Sequence, residues 1–193
     1  MSLIDKVVAA VMPPESDAAR AKAREDALAV AQPGTWLAMV LEHHRQIEGA
    51  FDALENADTA LTRRAAQKWL ATLLTGHAIA EEVTLYPALA SHHEKIRAQL
   101  AYQEQSAAKG ETAALEELDP MSQDYVDKVA HIRGAVAHHM YEEESTWFLK
   151  LQEKASSPET MTRLTKRYDE EFTRYMGNDT RESVMRAAGS EMH

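Results

Sequence analysis

The sequence predicts an all-α protein: an antiparallel up-down four-helix bundle with additional helices at its N- and C-terminal ends. Three observations carry that expectation. Helix-forming residues dominate, glycine is scarce at 7 of 193 residues, and the period-two alternation of a half-buried strand is almost absent. Capping and turn residues divide the chain into a few long segments. Short connections between those segments favour antiparallel neighbours.

The elements follow in order. Leu3, Val7, Val8 and Val11 give a short amphipathic segment at about 2–12, ended by "MPPESD". An Ala/Arg/Glu-rich segment at 16–31 is weakly amphipathic, stops at "QPGT", and is expected to pack over the bundle. Thr35 then caps the first bundle helix, which runs to about 56. "NADT" supplies the next stop and cap, and a second long helix reaches "LYPALAS". A third is expected from about 91 to 117, closed by "LDPMS", and a fourth from about 122 to 155, closed by "SSPE". "TMTRLTKRYDEEFTRYM" makes a last helix, and the tail after Gly177 reads as loose. The expected organisation is therefore outer helices at 1–34, the bundle at 35–156, and a C-terminal helix with its tail at 157–193, packed on the same domain.

Composition narrows the function. The net charge of −10 and the lack of a basic cluster argue against nucleic acid and anionic membranes as partners. With no cysteine there are no disulfides, no thiolate-held metals and no covalent c-type haem. The N-terminal apolar run is too short and too charged for a signal peptide or a membrane span. A cytoplasmic protein, monomer or homodimer, is the expectation.

Placing residues at 100° intervals shows what each bundle helix turns inward. On the first, Leu37, Val40, Leu41, Ile47, Phe51 and Leu54 form a stripe with His44 in its middle and His43 at its edge. On the second, Leu70, Leu73, Leu74, Thr84 and Ala88 enclose His77 and Glu81. On the fourth, Ile132, Ala135, Val136 and Thr146 enclose His139 and Glu143. Two helices thus carry a His-x-x-x-Glu pair on their apolar face, and a lone carboxylate buried there would cost several kcal/mol. On the third, Ile96, Leu100, Ala107, Ala108, Ala114, Leu115 and Leu118 form the stripe, Glu104 intrudes on it, and Gln105 falls roughly opposite. His77, Glu81, Glu104 and His139 lie at comparable heights from their shared loops, within about a turn. His44, His77, Glu81, Glu104, His139 and Glu143 together read as a metal site of imidazole and carboxylate donors, suited to iron, manganese or zinc. The Glu-x-x-His of ferritin-like di-iron proteins is absent.

The stretches "LEHHRQIEGAF", "LLTGHAIAEEVTLYPAL" and "AVAHHMYEEESTWFLKL" resemble the hemerythrin HHE cation-binding family over about residues 35–155. The resemblance implies a four-helix bundle around two non-haem iron ions. It also implies a role in binding or sensing oxygen, handling nitric oxide or peroxide, or iron homeostasis. It assigns His44, His77, Glu81, His139 and Glu143 as ligands, with Glu81 and Glu143 bridging the ions. It departs on the third helix, where the family places a histidine and this chain aligns Gln105; periodicity instead favours Glu104 as the replacement. A third carboxylate should favour ferric iron and shift the expected chemistry from oxygen carriage toward peroxide, nitric oxide or oxidant sensing. Iron storage, delivery or iron-centre repair is the alternative function, and a metal-controlled docking module a third.

Other polar residues receive blander expectations. Glu82, Glu142 and Glu144 fall off the seam and are expected to be mostly solvated, and Glu111 lies too far along the axis. His43 and His138 are expected at helix edges, His131 out of reach, and His92 and His93 at the start of the third helix. Tyr86 and Phe148, each nine residues after a motif histidine, are expected to anchor loops or outer helices away from the centre.

Overall fold

The computed structural model describes residues 15–92 and 94–177; the segment expected at about 2–12, the tail beyond Gly177, and His93 lie outside the described residues. Among the described residues, six helices follow one another. α1 is Asp17–Val30, α2 Trp36–Glu55, α3 Ala60–Ser91 and α4 Lys95–Ala114, the last ending in a 3₁₀ turn Leu115–Glu117. α5 opens as Gln123–Glu142, passes through a π-helical turn Glu143–Trp147 and finishes as Phe148–Lys154; α6 is Pro158–Met176. No described helix is long and apolar enough to cross a membrane.

Local chemistry sets the boundaries. Ser16, Ser122 and Ser157 each accept a backbone N–H of the turn they precede, and Thr59 forms a reciprocal capping box with Thr62. Thr35 precedes α2 as expected, yet its hydroxyl donates to Gln32 O. The N–H of Trp36 is taken by Thr165 Oγ1 of α6 at 3.0 Å, so the last helix completes the first bundle helix. α6 begins with Pro158 and ends at Gly177, whose φ of 64° is costly for any residue with a Cβ.

α2, α3, α4 and α5 pack in a ring, each against its sequence neighbours, with α2 closing on α5. α6 lies against α3 and α2, and α1 lies over the π-helical turn. Close approach of α6 depends on Gly76, where a Cβ would come within 3.0 Å of Met176 Sδ.

The core is two apolar clusters separated by polar side chains. One unites Leu37, Val40 and Leu41 of α2 with Leu85 and Leu89 of α3, Ala98 and Ala101 of α4, Trp147, Phe148 and Leu151 of α5, and Leu164 of α6. The other unites Ile47, Phe51 and Leu54 with Leu70, Leu73, Leu115, Tyr125, Val129, Ile132 and Val136. The start of α2 thus shares a cluster with the end of α3, the start of α4 and the end of α5, which is the antiparallel arrangement. Burial of each large apolar side chain contributes roughly 1.5–3 kcal/mol.

α4 is turned relative to the expectation. Its buried residues are Ala98, Ala101, Gln105 and Thr112, while Ile96 is 85% and Leu100 43% exposed. The inward face carries small side chains, so the largest aliphatics mark the wrong side of this helix.

Candidate metal centre

Between the two clusters, four helices bring polar atoms to one level. His44 and Glu143 are fully buried, as is Glu81; His77 is 3% and His139 8% exposed. Each imidazole aims Nε2 inward at a carboxylate oxygen: His44 at Glu143 Oε2, His77 at Glu81 Oε1, and His139 at Glu143 Oε1, every one at 3.3 Å. Each Nδ1 points outward to a holding group. Glu144 Oε1 holds His44 at 2.6 Å, the Tyr168 hydroxyl holds His77 at 3.1 Å, and Glu104 Oε2 holds His139 at 2.8 Å. Outward partners of this kind fix ring orientation and tautomer at metal sites.

The arrangement fits a cation. Donors each about 2.1 Å from one ion lie roughly 3.0–3.5 Å apart at tetrahedral to octahedral angles. Donor atoms of His44, His77, Glu81 and Glu143 all fall within 4.8 Å of one another. His44 Nε2, Glu81 Oε1 and Glu143 Oε2 are buried with no hydrogen-bond partner, a costly state for polar groups without a cation. Glu143 divides its oxygens between His44 and His139, and Glu81 divides its own between His77 and the Tyr86 hydroxyl. Both carboxylates therefore face two positions.

Several residues are placed otherwise than their periodicity suggested. Gln105, expected opposite the seam, is 5% exposed, and its Nε2 donates to Glu81 Oε2 at 2.5 Å and to the Tyr86 hydroxyl at 2.6 Å. Glu104 is only partly buried and grips the outer nitrogen of His139, outside the four-residue group. The turning of α4 by about one residue accounts for both. Tyr86, expected to point away, is fully buried with its hydroxyl among Glu81, Glu143, His139 and Gln105. Helical side chains lean toward the N-terminus, which returns a long tyrosine to the level of Glu81. Phe148 packs edge-on to Trp36, centroids 5.5 Å apart.

The π-helical turn corrects two further expectations. The Phe148 N–H bonds Glu143 O, five residues back instead of four. This surplus residue carries Glu144, expected in solvent, to 2% exposure, and brings Trp147 inside in place of Thr146. Both carboxylate oxygens of Glu144 also accept from Arg24 Nε at 2.9 Å, and the other nitrogens of Arg24 donate to Glu48. α1, weakly amphipathic by sequence, thus contributes a half-buried cation held by two carboxylates. His43 Nδ1 meets the Tyr168 hydroxyl at 2.9 Å and its ring stacks on Phe172. His138 contacts Glu15, His131 is exposed, Glu82 pairs with Lys109, and Glu111 with Lys128.

Electrostatics differ across the site. Burial pushes His77 well below its ordinary range, reinforced by His44 beside it. Burial, with the charge of Glu143, pushes Glu81 well above its own. His44 is carried to about 9, burial being outweighed by Glu143 and Glu144. His139 is raised as well, the charge of Glu143 and the hydrogen bond to Glu104 overcoming burial. Glu143 is depressed despite burial by His139 and His44. Without a cation, imidazolium protons compensate the buried anions; a metal would displace them.

A cavity of about 30 Å³ reaches this level between α3, α4 and α5. Its walls are Ile47, Leu74, Ala78, Ala108, Val136 and Met140, and His77, Gln105 and His139 lie on it. That is room for roughly two water-sized molecules.

The chain is 34% identical over 87 residues to a protein named DNA nickase from Nostoc sp. (strain PCC 7120 / SAG 25.82 / UTEX 2576). The match covers 45% of this chain but only 25% of that relative, so the chain spans a quarter of its length. No solved structure matches significantly. Residues 36–151, more than half of the chain, match the hemerythrin HHE cation binding domain, and the chain belongs to that family.

Proposed function

We propose that this protein holds two non-haem iron ions and binds, senses or reacts with a small oxidant or diatomic molecule: O₂, peroxide or NO. The observation that carries this reading is the set of three 3.3 Å approaches between inward imidazole nitrogens and the oxygens of Glu81 and Glu143. Nitrogen and hard oxygen donors without sulfur suit iron, with manganese and zinc compatible. Two carboxylates that each face two positions support a pair of ions over one.

Bound iron would supply electron exchange and an open coordination position. The chain's own residues do the rest. Glu144, Tyr168 and Glu104 orient the three imidazoles. The clusters above and below keep bulk water away. The small cavity, with apolar walls beside His77, Gln105 and His139, has the size for a small molecule and not for a large one. The shared segment covers a quarter of the Nostoc relative, and its nicking activity is not carried over to this chain.

The test is metal content with reactivity. After anaerobic loading with Fe(II), about two irons per chain should remain after gel filtration, and the loaded protein should bind NO or consume peroxide faster than free iron. Retention of less than one iron per chain would sink the reading.

A further inference from the structure

We propose that Tyr86 is itself a metal ligand, giving a phenolate oxygen to the position bounded by His139, Glu143 and Glu81. This rests on the reading that the site holds iron. Four observations lead to it.

The Tyr86 oxygen lies 2.8 Å from Glu143 Oε1, 3.1 Å from Glu81 Oε2 and 3.1 Å from His139 Nε2. All three atoms belong to residues already argued to be ligands. A phenol has one proton and can donate to one of them; a cation among the four atoms is attracted to all. The hydroxyl is also fully buried, so water offers it no alternative partner.

The third bundle helix leaves this position short of donors. Glu104 is turned to the far nitrogen of His139, and Gln105 presents Nε2, which donates. The position therefore has one imidazole and two carboxylate oxygens, and the phenol oxygen is the fourth atom at hand. Gln105 Nε2, 2.6 Å from that oxygen, is a donor placed to support it as an anion. Hard anionic oxygen suits ferric iron. Coordination replaces the O–H bond with an O–metal bond, releases one proton to solvent and changes no oxidation state.

The experiment uses the full chain loaded with Fe(II) and then air-oxidised. Visible absorption and resonance Raman are recorded together with iron content. The wild type should show a phenolate-to-Fe(III) charge-transfer band with tyrosinate ring modes. Tyr86→Phe should lose both while retaining at least one iron per chain. Tyr102→Phe should keep them; this tyrosine sits edge-on to Tyr86 and donates to Glu82 O. Iron-loaded wild type without tyrosinate modes overturns the proposal even if no variant folds, as do modes that survive in Tyr86→Phe. Protein that takes up no iron overturns the functional reading and this inference together, whereas iron without tyrosinate overturns the inference alone.

Discussion

His77/Glu81 on α3 and His139/Glu143 on α5 share one spacing, face one centre and are similarly buried, yet they carry opposite electrostatics. On α3 the outer nitrogen meets a neutral phenol, Tyr168, and burial drives both residues toward their uncharged forms. On α5 the outer nitrogen meets a carboxylate, Glu104, and both residues are driven toward their charged forms. The spacing supplies geometry. Burial against the nearby charges decides protonation: His77 yields to burial and to His44, whereas Glu143 and then Glu104 overcome burial at His139.

The largest expected effect comes from neutralising the two carboxylates one at a time in metal-free protein. Glu143→Gln leaves His44 and His139 as buried cations short of a counter-charge, and should destabilise by about 3–5 kcal/mol. Glu81→Gln replaces a group already driven toward neutrality and should cost much less. Equal losses in urea unfolding would contradict the asymmetry. Next in size are the outer partners. Glu104→Gln should weaken metal binding about 10–100-fold, and Tyr168→Phe less, because a phenol orients His77 without lending it charge. Competition with a metal chelator measures both.

The smallest is the pH response of the metal-free protein. His44 is raised from 6.5 to about 9, so the folded state binds the extra proton. Its contribution is complete below pH 6.5 and is lost as pH rises through 9. Tm should fall by several degrees over that window. With metal bound the trend should reverse, since the proton no longer competes for the imidazole. Calorimetry of both forms at several pH values checks the crossing.

Much of this organisation was legible in periodicity. α2 shows its stripe plainly because Leu37, Val40, Leu41, Ile47, Phe51 and Leu54 are all large and all buried, and His44 interrupts them. α4 was misread because its inward face is Ala98, Ala101, Gln105 and Thr112, too small and polar to register against Ile96 and Leu100. Glu144 and Thr146 were misplaced because a regular 100° step does not hold across a π-helical turn. Tyr86 escaped because position on the helical wheel says nothing of how far a side chain leans. Tyr168 was invisible for another reason: its helix lies beyond the repeated motif, and nothing in its own spacing tells which ring its hydroxyl will meet.

The widened turn at Glu143–Trp147 also limits how this centre can be moved. Neighbouring glutamates on a regular helix diverge by about 100°, yet here one serves the centre and the next braces the imidazole across from it. A designer transplanting these side chains onto an idealised scaffold must carry the bulge along. Straighten it, and either Glu144 abandons His44 or Trp147 leaves the interior.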